Sequence, residues 1–181
     1  MGHHSFVLYC MVENIIVKKS SIQGTGVFAT ANFKKGEIVC KMRGEKICFQ
    51  ELKRRYADGK EKICNPLQNS EKEYFDLAEP YVYFNHSCTP NCGIRKKGEL
   101  FALKNIPKNT ELTYDYSTTE WTYEKFGKYK DWAMECNCGS EQCRGTLGQF
   151  PTLDSKLKKK YFVLGALQDF ILRKLEKKMF A

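Results

Sequence analysis

Three cysteines near the C-terminus constrain the fold of this chain more than any other feature of its sequence. They follow the spacing Cys136-x-Cys138-x4-Cys143. Thiolates are soft ligands, and zinc takes four ligands in a tetrahedron. Three close cysteines cannot complete that shell, so a fourth ligand has to come from a distant segment, and metal binding would contribute to folding of the C-terminal region. The spacing predicts a zinc site, and three unrelated cysteines are the alternative.

The remaining cysteines are scattered. The chain has nine cysteines in all, an odd number, so at least one would stay unpaired in any disulfide scheme. This usage is typical of an intracellular, reduced protein with a metal site rather than of a secreted disulfide framework. Residues 6–12 form an apolar run, but no Lys or Arg precedes it and no cleavage site follows, so we expect no signal peptide. We expect no membrane span either.

The most distinctive segment is residues 83–92, which read Tyr-Phe-Asn-His-Ser-Cys-Thr-Pro-Asn-Cys. Asn85 and His86 directly follow an apolar run, where the backbone leaves the core. Cys88 is the natural candidate for the fourth zinc ligand. A hydrogen-bonded structural histidine is one alternative reading of His86, and a Cys-His nucleophilic enzyme is another.

Four segments, in this order, resemble the SET domain of protein-lysine methyltransferases with its post-SET zinc motif. They are Gly-Thr-Gly-Val-Phe-Ala at 24–29, the Asn-His-Ser-Cys-x-Pro-Asn run at 85–91, Glu-Leu-Thr-Tyr-Asp-Tyr at 111–116, and the cysteine cluster with Arg144 and Gly145. The resemblance covers about residues 13–148. It implies a mostly β (α+β) fold of short sheets whose C-terminal segment threads through a loop as a pseudoknot, an exception to the usual absence of threading.

The resemblance also implies a role for each matching residue. Gly24, Thr25 and Gly26 would approach the amino-acid end of S-adenosylmethionine through their backbone. Asn85 and His86 would hold the cofactor, with the His86 backbone near the adenine. Other roles implied are a pocket wall for Tyr83, the catalytic tyrosine for Tyr116, the aromatic switch for Tyr114, and zinc ligation for Cys88, Cys136, Cys138 and Cys143.

Two positions depart from the family pattern. Val82 stands where the family often has Arg, and Met42 stands where a Tyr is common. These departures bear on the cofactor's carboxylate contact and on the substrate channel. They leave the Asn-His pair and Tyr116 untouched.

Tyr114 and Tyr116 are expected on one strand and therefore on one face, since strand side chains alternate. Core packing is the alternative reading of this pair. With the resemblance, the pair indicates an S-adenosylmethionine-dependent protein-lysine N-methyltransferase that releases S-adenosyl-L-homocysteine. Histone tails are the family's usual target, and the tyrosine at position 114 favours mainly monomethylation. A catalytically silent SET-like module that binds protein or nucleic acid is the second hypothesis, and a zinc-bearing nucleic-acid protein is the third.

Local patterns predict the elements. Strands are expected near residues 15–17, 27–29, 37–42, 81–84, 100–103 and 112–116, and a short helix at 50–57. Residues 65–73 predict a loop, and 120–134 a loop with a short helix. The chain is thus divided into an N-terminal extension at 1–12, a SET domain at 13–118, a post-SET zinc segment at 119–150 and a C-terminal basic amphipathic helix at 151–181.

The C-terminal helix is expected at residues 155–178, with an apolar stripe at Leu157, Tyr161, Leu164, Leu167, Ile171 and Leu175. The stripe is expected to pack on the domain, and a dimer or partner contact is the alternative. Residues 154–181 hold eight Lys/Arg against three Asp/Glu, within a chain of net charge +9. This balance favours contact with nucleic acid or nucleoprotein, and a solvated helix face is the alternative. The protein would be nuclear in a eukaryote, and cytoplasmic or delivered to a host if bacterial.

Overall fold

The structure is a computed structural model that describes residues 14–60, 65–121 and 133–179. The apolar run at 6–12 and most of the segment at 120–134 lie outside the described residues, as do Cys10 and Cys64. In the described part, no helix combines the length and the apolar character that crossing a membrane requires.

The described residues form short strands joined into small sheets, as expected for a mostly β fold. In chain order the strands are β1 (Ile15–Lys19), β2 (Thr25–Ala29), β3 (Ile38–Lys41), β4 (Gly44–Cys48), β5 (Pro66–Gln68), β6 (Glu73–Leu77), β7 (Asn85–His86), β8 (Cys92–Arg95), β9 (Glu99–Ala102), β10 (Thr113–Tyr114), β11 (Ala133–Glu135) and β12 (Thr146–Gly148). Sheet order is β3-β9-β8 and β4-β6-β5 in the three-stranded sheets, with the pairs β1-β2, β7-β10 and β11-β12.

One core joins strands from the two ends of the 15–114 region. Its fully buried members include Ile15, Val27, Ile94, Leu100 and Leu112, which come from β1, β2, β8, β9 and the segment before β10. Because these residues are far apart in sequence, burial of their apolar surface fixes the relative positions of the sheets.

The pair β7-β10 places the two principal motifs side by side. It is parallel, with Asn85 opposite Thr113 and His86 opposite Tyr114. Asn91 reinforces the pairing, since its side chain donates to the Glu111 carbonyl (2.7 Å) and accepts from the Thr113 amide (2.9 Å). Asn85 and Asn91 therefore both connect the 85–91 segment to the segment that carries Tyr114 and Tyr116.

Helix α1 (Phe49–Ala57) confirms the expected short helix. Three other local predictions were wrong. The expected strand at 81–84 is a 3₁₀ turn, Tyr81–Tyr83, entered from Pro80, whose ring favours a turn backbone. The expected loop at 65–73 contains β5, an edge strand, which is the position where a sheet tolerates Pro66.

The third wrong prediction concerns the C-terminal helix, which is broken in two: α2 (Ser155–Val163) and α3 (Asp169–Met179). Asp154 caps α2 by accepting from the Leu157 amide at 2.8 Å. Gly165, at φ +63°, ends it. The amides of Gly165 and Ala166 bond back to the carbonyls of Phe162 and Tyr161, at 3.0 and 2.9 Å, which is the Schellman arrangement at a helix C-terminus.

The apolar stripe packs inward, as expected. Tyr161, Leu167 and Ile171 are buried together with Phe101 and Trp121. Leu157, Leu164 and Leu175 are half-buried at the edge of the same cluster. The C-terminal helices are therefore attached to the SET sheets through a core of their own.

This attachment requires a glycine at position 93 in β8. A Cβ there would lie 2.7 Å from the Ala166 Cβ and 2.9 Å from the Leu103 Cδ2. We expect Gly93→Ala to lower the free energy of unfolding by about 1–3 kcal/mol, because overpacking a close contact forces side chains or backbone to shift. Denaturant unfolding measures the change.

The double variant Gly93→Ala/Ala166→Gly serves as the control, because it removes the methyl group that the new side chain meets. The double variant should lower the free energy of unfolding by less than the sum of the two single changes. Simple additivity would contradict the proposed contact.

Candidate active site and thiol cluster

A cavity of about 900 Å³ opens between the glycine motif, β7 and residues 134–147. Of the six residues predicted to bind the cofactor, five line it: Gly24, Thr25, Tyr83, Asn85 and His86. The predicted catalytic Tyr116 lines it as well, and the far wall comes from residues 134–138 and Leu147. Gly26 and Tyr114 are not among its lining residues.

Asn85 holds the glycine motif in place. Its side-chain nitrogen donates to the carbonyls of Thr25 (3.0 Å) and Gln23 (3.3 Å) and to Glu111 Oε1 (2.8 Å). The same carboxylate accepts from Ser20 Oγ at 2.8 Å. The Asn85 side chain therefore links the cavity wall at residues 23–25 to Glu111, which begins the segment that carries the two tyrosines.

Gly26 has a packing role rather than a place in the wall. A Cβ at this position would lie 2.3 Å from Glu111 Oε1. Glycine is required here because the carboxylate that Asn85 and Ser20 hold lies directly against the backbone.

His86 connects the cavity to the thiols. It is buried, and burial lowers its pKa to about 4, so the ring is neutral at pH 7. Its Nδ1 accepts from the Tyr116 amide at 3.3 Å, and its Nε2 lies 3.2 Å from Cys88 Sγ. A backbone amide can only donate, so we assign the ring proton to Nε2, which faces the sulfur.

Tyr116 meets Asn85 and His86 at the cavity, as the sequence predicted. Its hydroxyl donates to the Phe84 carbonyl at 2.7 Å, and its ring centroid is 5.4 Å from that of His86. β10 ends at Tyr114, and Tyr116 begins the 3₁₀ turn Tyr116–Thr119, so the expectation that both tyrosines lie on one strand was wrong. The two rings are nevertheless adjacent, with centroids 4.8 Å apart.

Three of the four predicted metal ligands, Cys88, Cys136 and Cys138, converge with His86, and the fourth, Cys143, lies beside Cys136 but outside that group. Cys136 Sγ lies 3.8 Å from Cys88 Sγ and 3.6 Å from Cys143 Sγ, and Cys138 Sγ accepts from the Cys88 amide at 3.5 Å. Four sulfurs about 2.3 Å from a tetrahedral zinc ion would be about 3.8 Å from one another. The two sulfur–sulfur distances, 3.8 and 3.6 Å, are close to this spacing, so the thiol donors are compatible with zinc.

The thiols of the cluster differ in their pKa, and burial raises the pKa of Cys88 and of Cys136 above the usual value. Burial acts to raise the pKa of Cys138, but backbone amides and neighbouring thiols bonded to its sulfur lower it to about 6. A thiolate is the form that binds metal. His86 joins Cys88, Cys136 and Cys138 in a group whose ligand atoms all lie within 4.8 Å of one another, a neighbour for the cluster that spacing alone did not reveal.

Asp115 and Arg144 form a buried ion pair beside the cluster. Arg144 Nη1 and Nη2 bond the two carboxylate oxygens at 2.7 and 2.6 Å, and the Asp115 side chain has no exposed surface. The Arg144 amide donates to Cys88 Sγ at 3.4 Å. Arg144 belongs to the cysteine motif in the sequence, but its partnership with Asp115 was not predicted.

The two departures from the family pattern lie in different places. Val82 lines the cavity, so an apolar side chain occupies the wall there. Met42 is buried in the SET core, and its amide donates to the Gly98 carbonyl at 2.8 Å. Only the departure at position 82 therefore bears on the cavity.

Comparisons with known proteins place the sequence in a family. The SET domain family model matches residues 24–117. Histone-lysine N-methyltransferase SETD2 of Homo sapiens is 32% identical over 150 residues, which are 76% of this chain and 5% of the relative. Histone-lysine N-methyltransferase ASHR3 of Arabidopsis thaliana is 30% identical over 149 residues, 75% of this chain and 28% of the relative. Histone-lysine N-methyltransferase trithorax of Drosophila virilis is 31% identical over 140 residues, 71% of this chain and 3% of the relative.

This chain thus spans a small part of the length of these relatives. Among solved structures, a humanized mutant of the Chaetomium thermophilum Polycomb Repressive Complex 2 bound to the inhibitor GSK126 aligns with a TM-score of 0.54 at 22% identity, over 60% of this chain and 15% of that one. This likeness concerns the fold. The family model, which matches more than half of the chain, shows that the chain belongs to the SET-domain family.

Proposed function

We propose that this chain is an S-adenosylmethionine-dependent protein-lysine N-methyltransferase. The observation that carries the proposal is the cavity in which the glycine motif, the Asn85-His86 pair and Tyr116 meet. Histone-lysine methyltransferases among its relatives support the same reaction class.

The residues of the cavity suit the two ends of the cofactor. Gly24 and Thr25 would offer backbone to its amino-acid end, Tyr83 would supply an aromatic wall, and the His86 backbone would lie near the adenine. S-adenosylmethionine would supply an electrophilic methyl group and leave as S-adenosyl-L-homocysteine. Asn85 serves indirectly, because its side-chain nitrogen holds the 23–25 loop in position.

Tyr116 and Tyr114 would contact the lysine of the substrate. A free lysine amine has a pKa of about 10.4, so only about one in a few thousand is neutral at pH 7. An aromatic, partly desolvated channel favours the neutral amine, which is the nucleophile. Aiming it along the line of the breaking carbon–sulfur bond supplies much of the rate. Tyr116, half-buried and fixed by its bond to Phe84, is suited to that alignment.

We expect Tyr116→Phe to lower kcat by about 100-fold, because misplacing the reacting groups by a fraction of their spacing costs roughly that much. The measurement is transfer of labelled methyl groups to a peptide array. Tyr56→Phe on α1 is the matched control, since Tyr56 does not line the cavity. Undiminished turnover by folded Tyr116→Phe would remove Tyr116 from the mechanism.

The product is expected to be mainly monomethyllysine. Tyr114 is buried against the Tyr116 ring, and from there its hydroxyl would limit the space for further methyl groups. Mass spectrometry of the peptide product measures the distribution, and Tyr114→Phe should shift it toward dimethyl- and trimethyllysine. Trimethyllysine as the main wild-type product would refute this role.

We further propose that Cys88, Cys136, Cys138 and Cys143 bind one zinc ion. The ion would tie β11 and β12 to the segment after β7 and so hold the far wall of the cavity. His86 Nε2, which faces Cys88, would stabilise the thiolate as a hydrogen-bond donor from outside the shell.

We expect the purified protein to contain one zinc ion per chain by elemental analysis. Cys143→Ser should weaken zinc binding by more than about 100-fold, since loss of a ligand exceeds the loss of a supporting residue. Cys48→Ser, at another exposed cysteine, should keep the metal. Full zinc content in Cys143→Ser would contradict the four-thiolate site.

The proposed substrate is a protein that presents a lysine, with histone tails as the first class to test. Helix α2 exposes Lys156, Lys159 and Lys160 and contains no acidic residue, which is compatible with contact to nucleic acid or nucleoprotein near the substrate. An intracellular, reducing location, nuclear in a eukaryote, suits the metal-binding thiols.

A catalytically silent SET-like binding module is the second candidate, favoured by Val82 in the cavity wall. The positions of Tyr116 and His86 oppose it. The two candidates differ in whether the cavity binds S-adenosylmethionine.

A further inference from the structure

One side chain of the C-terminal helices reaches the residue between Tyr114 and Tyr116. Tyr161, in α2, donates its hydroxyl to Asp115 Oδ2 at 2.7 Å, across 46 residues of sequence. Both side chains are buried. α2 follows the 24–117 segment that the SET family model matches, so this contact comes from outside the shared domain.

Asp115 depends on such donors. Its Oδ1 accepts from Arg144 Nη2 and from the Ser117 amide at 3.1 Å, and its Oδ2 accepts from Arg144 Nη1 and from Tyr161. A buried carboxylate requires its lone pairs to be satisfied, and Tyr161 supplies one of these four contacts. Burial, followed by the charge of Asp115, raises the pKa of Tyr161 well above its usual value, so the hydroxyl keeps the proton it donates.

Asp115 connects Tyr161 to the tyrosines of the candidate active site. Asp115 lies between Tyr114 and Tyr116 in the chain, and its Oδ1 is 3.6 Å from His86 Nδ1. The oxygen that Tyr161 holds is the one facing away from His86. The hydroxyl thus orients the carboxylate, and with it the start of the 3₁₀ turn, without touching the cavity itself.

We propose that Tyr161 is a positioning residue for methyl transfer, acting through Asp115 to hold Tyr116 in its reactive place. The C-terminal helices would accordingly be part of the catalytic unit. This inference rests on the proposed methyltransferase function.

The test is Tyr161→Phe, which keeps the ring that fills the core and removes only the hydroxyl. Zinc content, circular dichroism, the calorimetric Kd for S-adenosylmethionine and kcat on the best peptide are compared at a temperature where both proteins are folded. We expect kcat to fall about tenfold, the effect of one hydrogen bond to a charged group. The cofactor Kd and zinc content should stay within about twofold of wild type, because Tyr161 contacts neither site.

Leu164→Ala is the matched control. Leu164 is half-buried in the same C-terminal cluster, and its substitution loosens the packing of these helices while leaving the hydroxyl of Tyr161 in place. We expect reduced thermal stability and unchanged kcat.

The inference is overturned by wild-type kcat in Tyr161→Phe, by an equal loss in Leu164→Ala, or by a cofactor Kd that weakens in step with kcat. Failure of Tyr161→Phe to fold at any temperature would assign the hydroxyl a structural role and overturn it too. A wild-type chain that turns over no peptide would remove the proposed function as well, whereas an active wild type with an equally active Tyr161→Phe removes only the inference.

Discussion

The buried carboxylate of Asp115 is the constraint on which the rest of the site depends. An unpaired charge in a protein interior costs several kcal/mol, and breaking such a pair by removing one partner costs about 3–5 kcal/mol. Asp115 sits between the two tyrosines, so the chain can bury that segment only when Arg144 and Tyr161 arrive to satisfy it. The post-SET segment and the C-terminal helices are thereby brought to the same place.

The thiol cluster adds a second requirement at the same junction. Arg144 directly follows Cys143, and its amide bonds Cys88 Sγ while its guanidinium bonds Asp115. His86 faces the same sulfur and also accepts from the Tyr116 amide. The thiol cluster, the ion pair and the placement of Tyr116 are therefore parts of one connected arrangement, and the cavity lies on its open side.

Features set by ligand chemistry or by strong local signals could be predicted from the sequence. Cys88 was identified as the fourth thiol because three close cysteines leave a tetrahedral shell incomplete, and helix α1 followed from its local pattern. The partnership of Tyr161 with Asp115 could not be predicted, since it joins residues 46 positions apart and Tyr161 fits an ordinary apolar stripe.

The wrong predictions of the C-terminal helix and of the loop at 65–73 also arise because the sequence alone does not show tertiary contacts. A glycine inside an apolar period of three to four is often tolerated in a helix, so Gly165 gave no decisive signal that α2 ends there. Gln68 and Asn69 are polar yet buried, with Gln68 bonded to the Trp121 backbone, and only tertiary contacts explain why a polar run forms an edge strand.

Calorimetric titration of the folded, zinc-loaded chain with S-adenosylmethionine tests the central claim most directly, alongside Asn85→Ala and the surface control Lys97→Ala. The account predicts one binding site per chain, an affinity at least about tenfold weaker when Asn85 no longer holds the 23–25 loop, and no change in the control. Absence of binding by the wild type, or equal affinity in Asn85→Ala, would contradict it.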